Sequence, residues 1–115
     1  MVQEQRGYAD VQVDDSNEIR DTLIENLKNV YDPEVPVNIY DLGLIYNIDI
    51  VDSACNITMS LTSAFCPAAD DIVNDVHMAG YMVSGIDSVN VKVTFDPQWG
   101  PEMISDDAKL ILGIF

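Results

Sequence analysis

The chain has 115 residues, and its 20 Asp and Glu against 5 Lys and Arg give a formal net charge of −15 at pH 7. Because nucleic-acid affinity rests mainly on cations that neutralise phosphates, this charge excludes a general nucleic-acid or anionic-lipid partner. With 48% hydrophobic residues, two cysteines and no apolar run near the roughly 20 residues that span a bilayer, the composition predicts one folded cytoplasmic domain without a membrane partner. Residues 1–15 lack helical or strand periodicity, so we expect a flexible acidic lead-in before a single domain over 16–115.

The first predicted helix begins at Ser16, whose side chain can cap the free backbone amides of a helix start. Apolar residues then recur at helical spacing, at Ile19, Leu23, Leu27 and Val30. The helix must end before Asp32–Pro36, because each of the two prolines lacks a backbone donor and favours extended geometry in the residue before it.

Two stretches of alternating apolar and polar residues predict an antiparallel hairpin with a turn at Asp52–Ala54. Their apolar members are Leu44, Tyr46, Ile48 and Ile50 in the first strand, and Cys55, Ile57, Met59 and Leu61 in the second. Pro67 suits the first position of a second helix that carries an apolar stripe. A third strand alternates from Val89 to Phe95, and Ser105 is the predicted N-cap of a short last helix.

The resulting order is α-β-β-α-β-α, which predicts a fold of the α/β (α+β) class. The simplest way to bury the apolar stripes is a small open sheet of about three strands with helices packed on one face. We expect this architecture for residues 16–115.

The segment Leu61–Pro67 places Cys66 between the second strand and the second helix. A helix amino terminus stabilises the thiolate, which is the form of cysteine that acts as a nucleophile or metal ligand. Asp70 and Asp71 follow closely and oppose the thiolate by their charge, although they also attract cations. Cys66 is therefore either a thiol that contacts a soft metal or a small buried cysteine under the loop.

No pattern in the sequence predicts a self-contained enzyme. His77 is the only histidine and falls within the second helix, eleven residues from Cys66 or about 16 Å along a helix, which is too far for proton transfer. The chain lacks a glycine-rich phosphate loop, a serine-centred nucleophile elbow and a closely spaced set of His and Cys ligands. We expect a protein without catalytic activity.

Other residues near the predicted loops have competing interpretations. Cys55 is in phase with apolar strand residues, so we expect it to be buried and not paired with Cys66. Asp41 either forms a turn or serves the site directly. Trp99, in a loop, and the adjacent Met103 either contact a partner or cover the sheet edge.

Three segments stand out in order along the chain: Asp32–Tyr46, Leu61–Pro67 and Phe95–Trp99. Together they resemble the SufT-like branch of the iron-sulfur assembly family, which also includes PaaD-like proteins and the eukaryotic cytosolic iron-sulfur targeting factor. The resemblance runs from about Glu18 to the end of the chain. The tail Met103–Leu110 is similar to the end of the SUF-associated subgroup.

The resemblance implies a small domain that helps to mature iron-sulfur proteins without enzymatic turnover. By position, it makes Cys66 the reactive or metal-contacting thiol, with Asp41 and Thr62 as polar supports beside it. Asp32 and Glu34 belong to the first motif, without an assigned role. The implied partners are iron-sulfur assembly proteins, client apoproteins or a second copy of the chain.

One accessible thiol cannot hold an iron-sulfur cluster, since the common clusters take four thiolates. We therefore expect no tightly bound cofactor. Iron or a cluster would be labile, and it would be bound between two copies, shared with a client, or completed by carboxylate and small thiols. Two alternatives stay open. In the first, the protein is an accessory subunit of a multicomponent oxygenase, as in the PaaD-like branch, rather than a maturation factor. In the second, it is a plain protein-interaction module in which Cys66 only packs.

The net charge makes a first testable prediction. A charge of −15 spread over the whole chain destabilises the compact state by self-repulsion at low ionic strength, and added salt screens this repulsion. We expect the melting temperature to rise between low and moderate salt, as measured by thermal unfolding followed by circular dichroism. A melting temperature that stays flat or falls would contradict this expectation.

Overall fold

The fold is that of a computed structural model, which describes residues 12–33, 35–63 and 67–113. Three helices and three strands follow one another, with a short 3₁₀ turn before the last helix. Their bounds are α1 Gln12–Leu27, β1 Ile45–Val51, β2 Ala54–Met59, α2 Ala69–Tyr81, β3 Ser88–Val93, the 3₁₀ turn Pro101–Met103 and α3 Asp106–Leu112. The predicted element order and the α+β class are confirmed.

The first helix begins four residues earlier than the sequence predicts. α1 starts at Gln12, so Ser16 lies inside the helix and the prediction that it is the N-cap is wrong. A serine inside the helical backbone cannot be the N-cap, because an N-cap residue has non-helical backbone geometry. Residues 1–11, the rest of the predicted lead-in, lie outside the described residues.

The three strands form one open mixed sheet in the order β1-β2-β3. β1 and β2 form the predicted antiparallel hairpin, with Ile48 opposite Ile57. β3 runs parallel to β2, with Val91 opposite Ile57, and the parallel pair requires the crossover that α2 provides. The buried apolar strand residues share one face. The other face carries a 3.1 Å hydrogen bond from Asn90 Nδ2 to Asn56 Oδ1.

α1 and α2 pack against the sheet and against each other. The helix residues that enter the core are Leu23, Leu27, Ile72, Val76 and Ala79. Arg20 Nη1 donates to the carbonyl of Ile48 at 3.0 Å, which connects α1 to β1. Asn26 Nδ2 donates to the carbonyl of Ala79 at 3.1 Å, which connects α1 to α2. These side-chain bonds fix α1 relative to both of its neighbours.

The second helix starts later than the sequence predicts. Its first residue is Ala69, whereas Pro67 was expected to occupy this position. Residues 67–68 form a turn instead, and the amide of Ile72 donates to the carbonyl of Ala68 at 2.9 Å. Ala68 is therefore the N-cap, and Pro67 lies outside the helix.

The third strand ends earlier than the alternating pattern predicts. β3 pairs with β2 only as far as Val93, which lies opposite Met59 at the end of β2. Phe95 lies beyond this point and is 43% exposed, so the last residue of the alternating pattern does not enter the core.

The last helix starts where the sequence predicts. Ser105 is the N-cap of α3, and its hydroxyl accepts from the amide of Ala108 at 3.2 Å. Within the described part of the chain, no helix combines the length and the apolar character needed to cross a bilayer.

Candidate functional site

Three loop segments meet at the end of the sheet where β2 and β3 end and β1 begins. The amide of Ser60, after β2, donates to the carbonyl of Leu44, before β1, at 2.8 Å. The amide of Thr94, after β3, donates to the carbonyl of Met59 at the end of β2, also at 2.8 Å. The three segments that carry the family resemblance therefore adjoin one end of the fold. We call this region, around Leu44, Ser60 and Thr94, the motif end.

The turn that leads into β1 is closed by two side-chain hydrogen bonds. Asn38 Oδ1 accepts from the amide of Asp41, and Asn38 Nδ2 donates to Asp41 Oδ2, both at 2.9 Å. Gly43 follows with a φ of +82°, a left-handed conformation that favours glycine. The half-buried Asp41 is thus held by Asn38, which supports the turn-forming interpretation of this residue.

Residues 97–105, which we call the docked segment, bind to this turn through its backbone carbonyls. Trp99 Nε1 donates to the carbonyl of Leu42 at 2.7 Å. The amide of Ser105 donates to the carbonyl of Asp41 at 2.8 Å. Since Leu42 is only 2% exposed, the indole covers a polar group that water cannot reach freely.

Two further contacts hold the docked segment. The hydroxyl of Tyr46 donates to the carbonyl of Pro97 at 2.8 Å and lies 3.6 Å from Met103 Sδ. Gly43 packs so closely that an added Cβ would overlap the carbonyl oxygen of Met103 and lie 2.8 Å from its carbonyl carbon. Trp99 and Met103 therefore both pack against the turn, and their contact with a partner stays a prediction.

Cys66, the thiol identified from the sequence, belongs to the segment that follows the end of β2, which we call the β2 exit. Leu61 is buried there, whereas Thr62, Ser63 and Pro67 are exposed. Cys66 itself lies outside the described residues, so its role stays a prediction. α2 starts two residues later along the chain than predicted, so Cys66 precedes its first residue by three positions in the sequence.

The start of the first motif lies against the same turn. Tyr31 and Asn38 form an isolated antiparallel bridge, which brings the chain around Asp32 beside the turn that holds Asp41. Asp32 is 5% exposed, a degree of burial that fits a structural role within the loop. Glu34 lies outside the described residues.

Asn38 and Tyr46 are parts of the motif end that the sequence analysis did not identify. An Asn that precedes an Asp by three residues is a recognisable turn pattern, and this spacing is the signal that indicates Asn38. Tyr46 follows the alternation of β1 and has no such signal. Its hydroxyl bond joins residues 51 positions apart, a contact that only the tertiary fold creates.

The described side chains of the motif end provide few metal ligands. The carboxylate of Asp41 accepts a hydrogen bond from Asn38, and His77 lies half-buried within α2, as its helical position predicts. Across residues 12–33, 35–63 and 67–113, no group of three His, Cys, Asp or Glu side chains could hold a metal ion.

Cys55 is a core residue, as its place in the strand pattern predicts. It has no solvent exposure and lies opposite Val89 in the sheet. Burial raises the pKa of the Cys55 thiol above its ordinary value of 9.0, and the nearby positive charge of Arg20 opposes this rise more weakly. The thiol therefore stays protonated in the folded protein at neutral pH.

The raised pKa of Cys55 predicts a loss of stability at alkaline pH. In the unfolded chain the thiol ionises near pH 9.0, whereas in the fold it holds its proton to a higher pH. Its contribution to the free energy of unfolding is therefore fully present below pH 9.0 and is lost as the pH rises from there towards the folded pKa. Urea unfolding on either side of pH 9.0 measures this loss.

The matched control for this pH dependence is Cys55→Ala, which removes the buried thiol and keeps every other residue of the chain. The variant should lose less stability than the wild type over the same pH interval. Equal losses in the two proteins would show that Cys55 does not contribute to the pH dependence.

The chain is similar to proteins of iron-sulfur maturation. A family model described as iron-sulfur cluster assembly protein matches residues 20–96. An Fe-S protein maturation auxiliary factor of Porphyromonas gingivalis is 49% identical over 92 residues, which cover 79% of this chain and 88% of the relative. The Fe-S protein maturation auxiliary factor SufT of Staphylococcus aureus is 34% identical over 86 residues, covering 74% of this chain and 98% of the relative.

The fold has a solved counterpart as well. The crystal structure of a DUF59 domain from Bacillus anthracis, a domain of unknown function, superposes with a TM-score of 0.79 at 37% sequence identity. The alignment covers 86% of this chain and 95% of that domain. Because the matched region contains the turn before β1, the exit of β2 and the end of β3, this chain belongs to the iron-sulfur cluster assembly family, in its SufT-like branch.

Proposed function

We propose that this protein is a non-catalytic maturation factor for iron-sulfur proteins, which acts through contacts with assembly proteins or client apoproteins and through the thiol of Cys66. The observation that carries the proposal is the meeting of the three motif segments at one end of the sheet. The relatives that share these segments are named maturation auxiliary factors. The motif end is then the surface that meets the client or the donor of the cluster.

The chain has too few thiols to be the resident holder of a cluster. Cys55 is buried in the core, which leaves Cys66 as the single thiol that can contact a cargo. Common iron-sulfur clusters need four thiolates, so the remaining ligands must come from a second copy, a client or small thiols. The cluster is therefore a labile cargo in transit, held between molecules.

The described side chains of the motif end support a role in binding rather than in catalysis. The polar groups of Asn38 and Asp41 bond to each other, and the indole of Trp99 bonds to a backbone carbonyl. A nucleophile needs a base within hydrogen-bond distance, and His77 lies within α2 rather than in these loops. These hydrogen bonds hold the turn before β1 and the docked segment against each other.

Complementation tests the proposal directly. In a bacterium that lacks its own SufT-like protein, the wild-type chain should restore the activity of an endogenous [4Fe–4S] enzyme, whereas Cys66→Ser should not. Cys55→Ala is the matched control, since it also removes a thiol but one that is buried in the core. Restoration by Cys66→Ser to the wild-type level would contradict the proposal and favour a module in which this cysteine only packs.

Anaerobic reconstitution with iron and sulfide tests the bridging arrangement. We expect visible absorption and bound iron only in a dimer or in a mixed complex, and loss of both when a chelator is added. A stable centre held by a monomer, or one that survives Cys66→Ser, would refute it.

A further inference from the structure

An open apolar groove lies between α1 and α2, outside all three motif segments. Its floor is buried and its walls are two methionines that are 53% and 73% exposed. We call it the methionine groove and define it by Val30 and Ala79 in the floor, Met78 and Met82 in the walls, and Asn26 and Asp75 at the rim. The motif end does not include any of these residues, so the groove is a separate surface.

The groove is preformed and small. The hydrogen bond from Asn26 Nδ2 to the carbonyl of Ala79, at 3.1 Å, joins the two helices across its floor. Its volume of about 170 Å³ is below the roughly 300 Å³ at which small-molecule sites begin. This size suits the apolar side chains of a protein partner rather than a whole small ligand. Methionine side chains are flexible and polarisable, and they are common on surfaces that bind apolar anchors.

Two carboxylates lie on the same face of α2 as Met78 and Met82, nearer the start of the helix. Asp71, Asp75, Met78 and Met82 recur at spacings of four, three and four, which places them in one stripe along the helix. Asp71 and Asp75 are both exposed. The chain as a whole carries a charge of −15. A partner that covers this stripe must therefore bring both apolar anchors and positive charge.

We propose that the methionine groove docks a cationic amphipathic helix of a partner protein. Its apolar anchors pack between Met78 and Met82, and its basic side chains lie along Asp71 and Asp75. A groove between two helices suits an inserted helix, which presents anchors at the same spacing of three and four residues. A second copy of this chain is a poor occupant, because it would place like charges against each other.

The chain of 115 residues, labelled at its methionine ε-methyl groups with carbon-13, reports on the groove directly by NMR. The probe is an amphipathic helical peptide of leucine and lysine. We expect the signals of Met78 and Met82 to shift and saturate as the peptide is added, while those of Met59, buried in β2, and Met103, at the motif end, stay in place. A peptide with the same lysines but serine in place of leucine should bind at least about tenfold more weakly.

Paired variants separate the groove from the general charge of the protein. Met78→Ser combined with Met82→Ser should lower the affinity for the leucine–lysine peptide about tenfold or more. The matched control is Leu110→Ser combined with Ile111→Ser, because these two apolar side chains of α3 are also exposed, at 61% and 67%. This control variant should bind the peptide like the wild type.

Five results would each overturn the proposal. Equal binding by the Met78 and Met82 double variant, or equal binding of the serine peptide, would mean that charge alone attracts the probe. Shifts confined to Met103 would place the peptide at the motif end. Nuclear Overhauser contacts from Met82 to residues 1–11 in the free protein would make the chain's own terminus the occupant. Shifts that depend on protein concentration without peptide would make it a second copy.

Discussion

Gly43→Ala is expected to lower the free energy of unfolding by about 2–5 kcal/mol, the sum of a backbone and a packing penalty. Gly43 has a φ of +82°, a conformation in which an alanine Cβ is strained. The new Cβ would also overlap the carbonyl oxygen of Met103, which is backbone and cannot rotate away. Either the turn before β1 or the docked segment must therefore move.

Gly113→Ala is the matched control for this substitution. Gly113 ends α3 with a φ of +74°, and an added Cβ there would meet no atom within 4 Å. It carries the backbone penalty of about 1–2 kcal/mol without the overlap. Urea unfolding measures the free energy of unfolding of both variants. The difference between their losses is the penalty for the overlap with Met103 in the docked segment. Equal losses would show that the close approach of Gly43 to Met103 does not affect stability.

Trp99→Phe is expected to destabilise the fold by about 1–3 kcal/mol, although it keeps an aromatic ring in place. The indole Nε1 donates to the carbonyl of Leu42 at 2.7 Å, and Leu42 is buried. Phenylalanine cannot donate, so this carbonyl would lose its partner in a place where water has little access. Chemical denaturation of the variant and the wild type measures the loss.

Tyr46→Phe provides the contrast within the same docked segment. Its hydroxyl also donates to a backbone carbonyl, that of Pro97, but this acceptor is exposed and can bond to water instead. We expect a smaller loss, about 0.5 kcal/mol. A loss as large as that of Trp99→Phe would contradict the argument from burial.

The Trp99→Phe variant also separates the two interpretations of this tryptophan. If Trp99 only covers the turn, Trp99→Phe lowers the free energy of unfolding. Client binding then falls only because the motif end is less stable. A partner anchor would affect binding while the free energy of unfolding stays unchanged. Unfolding and client pull-down measured on the same variant distinguish these outcomes.

The elements were predictable because periodicity is a local property of the chain. The alternation of Ile48 and Ile50 with polar neighbours, and the same alternation after Cys55, predicts the hairpin that the structure contains. The boundaries were less predictable. The sequence places helix starts at Ser16 and Pro67, whereas the helices start at Gln12 and Ala69, because several neighbouring residues can satisfy a helix end equally well.

The site was predictable in part for the same reason. The sequences around Asp41 and after β2 have recognisable patterns. The family resemblance joins them in one hypothesis, that these segments form a single functional site. The role of Asn38 as the partner of the Asp41 carboxylate follows a local spacing that could have been recognised. The bond from Trp99 to Leu42 joins residues 57 positions apart, and no local pattern contains that information.

The amino-acid sequence by itself determined the strands and helices, the acidic character of the protein, the burial of Cys55 and the family. Only the tertiary structure decided that β3 runs parallel beside β2, that the three motif segments meet at one end of the sheet and that a methionine groove opens between α1 and α2. The physical reason is how far apart along the chain the interacting residues lie. Propensity and periodicity act between residues a few positions apart, whereas a site is formed by packing and hydrogen bonds between segments that are distant in the chain.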